Sequence, residues 1–166
     1  MTLEVFKDVL IDSDFKKIKN FYDDLDTPWY FQPKMIPGSD NDDRGFFGHY
    51  VFLNNRITSP SYELLLPLLE KLNVGPLINI RTNFVVRSDK PYECVFHNDC
   101  VYEQAKTAIF YLTTNNGYTE FNNEEKTKIY CEENKLVLFD CKLQHKMVSQ
   151  TNLNKRLLVN INFFPK

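Results

Sequence analysis

Only three histidines occur in the 166 residues of this chain, and two of them keep company that could do chemistry. His97 and Asp99 stand two apart in "ECVFHNDCVYE", a stretch whose aromatic and β-branched residues read as a β-strand. Successive side chains of a strand point to opposite faces, so an imidazole and a carboxylate are aimed at one side, with Asn98 on the other. Two ligands of one metal ion need that placement. His145 follows the apolar segment "KLVLFD", and an antiparallel fold could return it beside the first pair. Two imidazoles and one carboxylate on one face of an ion leave the opposite positions open, the geometry of mononuclear non-haem iron(II) sites. The third histidine, His49, is read as a non-ligand.

The pair alone is a weak signal, because 22 acidic residues make an acid two places after a histidine common by chance. Arg156 adds to it. It heads the last long apolar segment, "RLLVNINFF", and if that segment pairs near His145 the guanidinium lies deep in the fold, where it needs an anion. A dicarboxylate cosubstrate would supply one. Period 2 puts Arg156, Leu158, Asn160 and Asn162 on one face of this strand and Leu157, Val159, Ile161 and Phe163 on the other. Asn160 and Asn162 are therefore candidates to line the interior and hydrogen-bond a substrate, with Arg81 and Asn83 of "NIRTNF" as a weaker pair.

The elements that must position these residues are legible in outline. "EVFKDVL" reads as a strand, and "DSDFKKIKNFYDDL" as a helix capped by Asp12 or Ser13, with Phe15, Ile18, Tyr22 and Leu25 on one side. Residues 28–48 read as an irregular segment and a candidate mobile lid, with Trp29 assigned to the core. "SPSYELLLPLLEKLN" opens with a helix start at Ser59 and Pro60, and Pro67 is expected to kink or divide it. From Leu77 the chain turns to short alternating segments: "LINIRTNFVV", "YECVFHNDCVY", "KTAIFYLTT", "YTEF", "KTKIYC", "KLVLFD", "HKMVSQ" and "RLLVNINFF". Turn signals such as Asn115-Asn116-Gly117 and Glu133-Asn134 separate them. The expectation is a mainly β chain with N-terminal helices (α+β): one domain over 1–166, with helical support and loop in 1–75 and a jelly-roll core in 76–166.

Bulk properties exclude some partners. A net charge of −2 and a pI near 5.9 give no basic surface for a nucleic-acid backbone. No signal peptide and no run approaching the ~20 apolar residues of a membrane span is seen, which points away from a membrane. Cys94, Cys100, Cys131 and Cys141 form no CxxC pair and are read as free thiols of a reducing, cytoplasmic setting.

Taken in order, "FHND", "AIFYLTTNNGYTEF", "NKLVLFDCKLQH" and "KRLLVNINFF" resemble the prolyl 4-hydroxylase-like branch of the iron(II)/2-oxoglutarate-dependent dioxygenases. The resemblance covers Leu77 to Phe164 and reaches weakly into "VLIDSDFKKIKNFY". It implies a double-stranded β-helix that holds Fe(II) through His97, Asp99 and His145, the catalytic set. It implies 2-oxoglutarate bound by Arg156 and Tyr111, with Thr107 as a further cosubstrate residue, O2 as the oxidant and ascorbate as a candidate accessory. Gly117, Thr119 and Phe121 match the family's hairpin pattern. The implied reaction is hydroxylation of a prolyl residue or a related amino-acid or peptide substrate, by a monomer or homodimer. A carboxylate at Asp99 favours hydroxylation over halogenation. Two departures bear on the substrate: Tyr118 stands where the family often has a second glycine, and "RTNFVVRSDKPYE" replaces a Tyr-x-x-Gly stretch. The alternatives are a non-catalytic jelly-roll module that binds a sugar or small ligand, and a zinc hydrolase, which would leave Arg156 and Tyr111 without a task.

Overall fold

The computed structural model describes residues 2–36 and 44–166. In chain order the elements are β1 (Leu3–Phe6), α1 (Asp12–Asp23), β2 (Tyr30–Gln32), β3 (Phe46–Leu53), β4 (Arg56–Ile57), α2 (Ser61–Lys71), β5 (Val74–Val86), β6 (Lys106–Tyr111), β7 (Tyr118–Phe121), β8 (Lys128–Tyr130), β9 (Lys135–Asp140), β10 (His145–Val148) and β11 (Lys155–Pro165). A large antiparallel sheet runs in the order β1-β9-β6-β11-β5-β3-β2, with β4 hairpinned onto β3. A smaller sheet, β10-β7-β8, faces it. The chain thus folds as a jelly roll, mainly β, with two helices among the described residues.

Side-chain alternation divides the large sheet into two working faces. Leu157, Val159, Ile161 and Phe163 of β11, with Ala108 and Phe110 of β6, pack against Phe15, Ile18 and Tyr22 of α1 and Leu65, Leu68 and Leu69 of α2. The intervening residues, Leu158 of β11, Ile109 and Tyr111 of β6 and Val137 and Phe139 of β9, meet Phe121 of β7 between the sheets. The helices therefore cover one face, and the other is left to line an interior. That β11 is apolar toward the helices and carries Arg156, Asn160 and Asn162 toward the interior follows from its period.

Local chemistry explains several boundaries. Asn54 and Asn55 both have positive φ, 51° and 59°, which closes the β3–β4 hairpin with the two-residue turn that asparagine tolerates. At Gly117 a Cβ would meet the Asn115 side-chain oxygen at 2.9 Å and the Val148 carbonyl at 3.0 Å, so only glycine lets the turn before β7 pass so close.

The structure corrects the sequence reading in places. Ile11, not Asp12 or Ser13, caps α1, with no side-chain hydrogen bond, and Leu25 lies past the helix and is fully exposed. Helix α2 runs through Pro67 undivided. The backbone bond that proline forfeits belongs to exposed Glu63, whose carbonyl can turn to water. Residues 28–48 are not wholly irregular, since β2 and the start of β3 fall within them, and Trp29 packs against Tyr22, His49 and Phe84. The rest of the expected lid, residues 37–43, lies outside the described residues. "YECVFHNDCVY" is not a continuous strand; it touches β10 through two isolated bridges, Glu93 with Val148 and His97 with His145.

The four-free-thiols expectation also fails. Cys100 and Cys141 form a disulfide, whereas Cys94 and Cys131 are free and buried. The partners are 41 residues apart and meet because the segment after His97 docks on the β9–β10 turn, where the Asn98 amide donates to the Lys142 carbonyl and the Cys141 N–H to the Ala105 carbonyl. A pairing made by tertiary docking has no spacing signature. It also removes the cysteine argument for a reducing compartment. No helix among the described residues is long and apolar enough to cross a membrane.

Candidate metal and cosubstrate site

His97 and His145 face each other across the bridge between their backbones, each N–H donating to the other's carbonyl at 3.0 Å. Their ring centres are 4.5 Å apart. The Nδ1 of His97 lies 3.1 Å from the Val95 carbonyl and that of His145 lies 3.3 Å from the Leu143 carbonyl. A carbonyl only accepts, so in the neutral rings Nδ1 carries the proton and Nε2 keeps its lone pair. Both Nε2 atoms then face Asp99: His97 Nε2 is 3.6 Å from Oδ1, and His145 Nε2 is 3.6 Å from Oδ2. Ligand atoms of the three residues lie within 4.8 Å of one another, close enough to share one ion.

Electrostatics in this cluster are set by burial and by one carboxylate among two imidazoles. Burial alone would lift Asp99, but the charge of His145, the hydrogen bond and charge of His97 and the Asn160 amide hold it well below the usual carboxylate range. Burial would lower His97; the Asp99 hydrogen bond, Cys94 and the Asp99 charge prevail and raise it to about 10. Burial and the neighbouring His97 charge depress His145, against the pull of Asp99. Two imidazoles and a carboxylate suit Fe(II) or Zn(II) and leave positions open.

A single cavity connects this cluster to Arg156. Its walls include His97, Asp99, His145, Thr119, Arg156 and Asn160. Arg156 is fully buried. It donates from Nη1 to the Val148 carbonyl at 3.0 Å and from Nη2 to the Thr119 hydroxyl at 3.3 Å, while its Nε has no partner among the described residues. No carboxylate pairs with it among the described residues. Tyr111 reaches the same point through its hydroxyl, 2.8 Å from Thr119 Oγ1, and burial pushes its phenol upward. A buried guanidinium with a vacant donor and only neutral partners fits a carboxylate from outside the chain.

The remaining expected site residues spread over three rungs of the sheet. Asn83 lies beside Leu158, Arg81 beside Asn160 and Asn79 beside Asn162. Across the other edge of β11, Leu158 faces Tyr111, Asn160 faces Ile109 and Asn162 faces Thr107. Arg81 lies over the rings of Phe46 and Tyr50, at 4.9 and 5.9 Å, and lines this cavity and a second opening that shares His97, Asp99 and Asn160. Asn83 lines the same cavity, and its Oδ1 is buried without a partner among the described residues. Thr107 is on neither wall; its hydroxyl donates to Asn162 Oδ1 at 2.6 Å. His49 is well away from this cluster's partners, buried on the helix side with its ring nitrogens 2.8 Å from the Pro28 carbonyl and 2.7 Å from Ser59 Oγ. Sequence reasoning missed Thr119 as the residue where Arg156 and Tyr111 meet. Only its hairpin position was readable.

Neither a protein-family profile nor a curated protein sequence matches the chain. Solved structures do. The chain superposes on an oxidoreductase of the 2OG-Fe(II) oxygenase family from Burkholderia pseudomallei with a TM-score of 0.74 at 10% identity, over 97% of this chain and 84% of that one. A prolyl-4-hydroxylase from Pseudomonas putida gives 0.60 at 12% identity, over 99% and 92%. A prolyl hydroxylase from Trichoplax adhaerens, solved with a hypoxia-inducible-factor peptide fragment, gives 0.64 at 15% identity, over 98% and 83%. Identities this low establish a shared fold: the jelly roll here is that of the 2OG-Fe(II) oxygenases.

Proposed function

We propose that the protein is an Fe(II)- and 2-oxoglutarate-dependent oxygenase that hydroxylates a C–H bond of a prolyl residue or a related amino-acid or peptide substrate. The observation that carries this reading is Arg156: a fully buried guanidinium without a carboxylate partner among the described residues, in one cavity with His97, Asp99 and His145. A metal alone would account for the three ligands and leave the arginine idle.

On this reading His97, Asp99 and His145 hold the iron. Arg156 takes the distal carboxylate of 2-oxoglutarate through its planar fork, and Thr119 and Tyr111 orient it. When bound, the iron and cosubstrate couple oxidative decarboxylation of 2-oxoglutarate, giving succinate and CO2, to insertion of one atom of O2 into the substrate C–H bond. The chain supplies orientation and a dry environment. Ile109, Leu158, Val85 and Met147 of the cavity wall exclude water from the space between ligands and arginine. Arg81, held over two aromatic rings and free of any acid partner among the described residues, together with Asn83, faces the substrate side and favours a substrate bearing carbonyl or carboxylate oxygens.

Incubation with Fe(II), 2-oxoglutarate, O2 and a library of proline-containing peptides is expected to yield succinate together with a hydroxylated peptide, and omission of Fe(II) or of 2-oxoglutarate, or the substitution His145→Ala, is expected to abolish both. Undiminished succinate formation by that variant would reject the assignment.

A further inference from the structure

We propose that Asn160 is a positioning residue for the metal centre, oriented by a one-way chain of buried hydrogen bonds that starts at Thr107 and ends on Asp99. The inference rests on the reading of His97, Asp99 and His145 as ligands, and it deepens that reading.

The three ligands are not supported alike. His97 and His145 are fixed by the backbone bridge between them and by their Nδ1 contacts. Asp99 lies beyond the bridge, in a stretch without regular structure that the Asn98–Lys142 bond and the Cys100–Cys141 disulfide pin on either side, neither of them touching its carboxylate. What meets it comes from β11: Asn160 Nδ2 donates to Asp99 Oδ2 at 2.9 Å. The outer partner of a ligating carboxylate fixes its rotamer and tunes its basicity.

The orientation of Asn160 is in turn dictated from behind. A carboxylate that binds a cation only accepts hydrogen bonds, so Asn160 must turn its NH2 toward Asp99 and its oxygen away. That oxygen accepts from Asn162 Nδ2 at 2.8 Å. The same NH2 group of Asn162 donates to Asn79 Oδ1 at 3.1 Å, and the Asn162 oxygen accepts from the Thr107 hydroxyl at 2.6 Å. The three links from Thr107 through Asn162 and Asn160 share one sense, donor to acceptor, toward the carboxylate, and the Asn162–Asn79 bond branches from them. The register makes it so: Asn162 is flanked by Asn79 and Thr107, and Asn160 is next but one along the same face. Asn160, Asn162 and Thr107 are 7%, 3% and 0% exposed, so water has little access to the bonds that join them. Asn160 and Asn162, which the sequence offered as substrate contacts, and Thr107, which the resemblance offered as a cosubstrate contact, are here joined in support of one ligand.

The test is metal affinity, measured with Mn(II) alone on the whole chain, with the Co(II) absorption spectrum as a report on coordination. Asn160→Asp keeps the shape and replaces the donor by an acceptor; it is expected to weaken Mn(II) binding by about 10–100-fold and to alter the Co(II) spectrum. Thr107→Val touches no ligand and keeps the volume; it is expected to weaken binding by a smaller factor, about 2–5-fold, which Thr107→Ser restores. The Thr107 pair keeps the inference testable if the Asn160 variant does not fold. Wild-type uptake of Mn(II) that His145→Ala eliminates, together with unchanged affinity and spectrum in the Asn160 and Thr107 variants, would overturn the positioning role and leave the ligand assignment standing. A wild-type protein that takes up no Mn(II) would overturn both.

Discussion

Arg156 is the residue at which stability and function pull apart. A guanidinium buried among a carbonyl, a hydroxyl and a phenol ring, with Nε unpaired, is not placed there to stabilise the empty protein. Arg156→Met, which removes the charge and keeps the stem, should therefore leave the melting temperature of the ligand-free protein unchanged or higher while removing 2-oxoglutarate binding. Calorimetric titration and thermal melts on one sample check both halves, and a variant that melts lower yet still binds the cosubstrate would contradict them. That Arg156, His97, Asp99 and His145 converge on one cavity was legible in the sequence because histidines are few and the last strand alternates cleanly. The bond from Asn160 to Asp99 was not, because it spans 61 positions and period 2 tells which face a residue takes, not what meets it there.

Among the elements, β11 and its neighbours followed from their alternation, whereas β3 did not. "FFGHYVFL" is apolar or small at nearly every position and half-buried on both faces, so it lacks the two-beat pattern that marks a strand with one wet face. The stretch carrying His97 and Asp99 failed in the other direction: its composition reads as a strand, yet only isolated bridges form, because after His97 the chain turns to dock on the β9–β10 turn. The Cys100–Cys141 disulfide closes that docked segment next to Asp99. Cys100→Ser, or reduction of the native protein, should cost about 2–4 kcal/mol of stability, seen as a fall in melting temperature of roughly 5–15 °C. An unchanged melting temperature under reducing conditions would show that the segment is held without the bond.

At the scale of the molecule, two helices cover one face of the large sheet, and the other face divides between an apolar cluster around Phe121 and the cavity lined by His97, Asp99, His145 and Arg156. The cluster of His97, Asp99 and His145 ties global stability to pH. The folded-state pKa of His97 is raised from 6.5 to about 10, so its contribution in the metal-free protein is fully present below about pH 6.5 and is lost as pH rises through about 10. Metal binding displaces that proton, so affinity for a divalent ion should climb with pH across the same window and the metal-loaded protein should lose this slope. Urea unfolding from pH 6 to pH 10, with and without Mn(II), reads both curves; parallel curves would mean that the ion does not bind at His97.

The most direct measurement is a crystal structure of the protein grown anaerobically with Mn(II) and 2-oxoglutarate. The account predicts one anomalous peak about 2.0–2.2 Å from His97 Nε2, a carboxylate oxygen of Asp99 and His145 Nε2, with the far carboxylate of the cosubstrate on the Arg156 guanidinium. A metal bound elsewhere, or a cosubstrate that leaves Arg156 untouched, would contradict it.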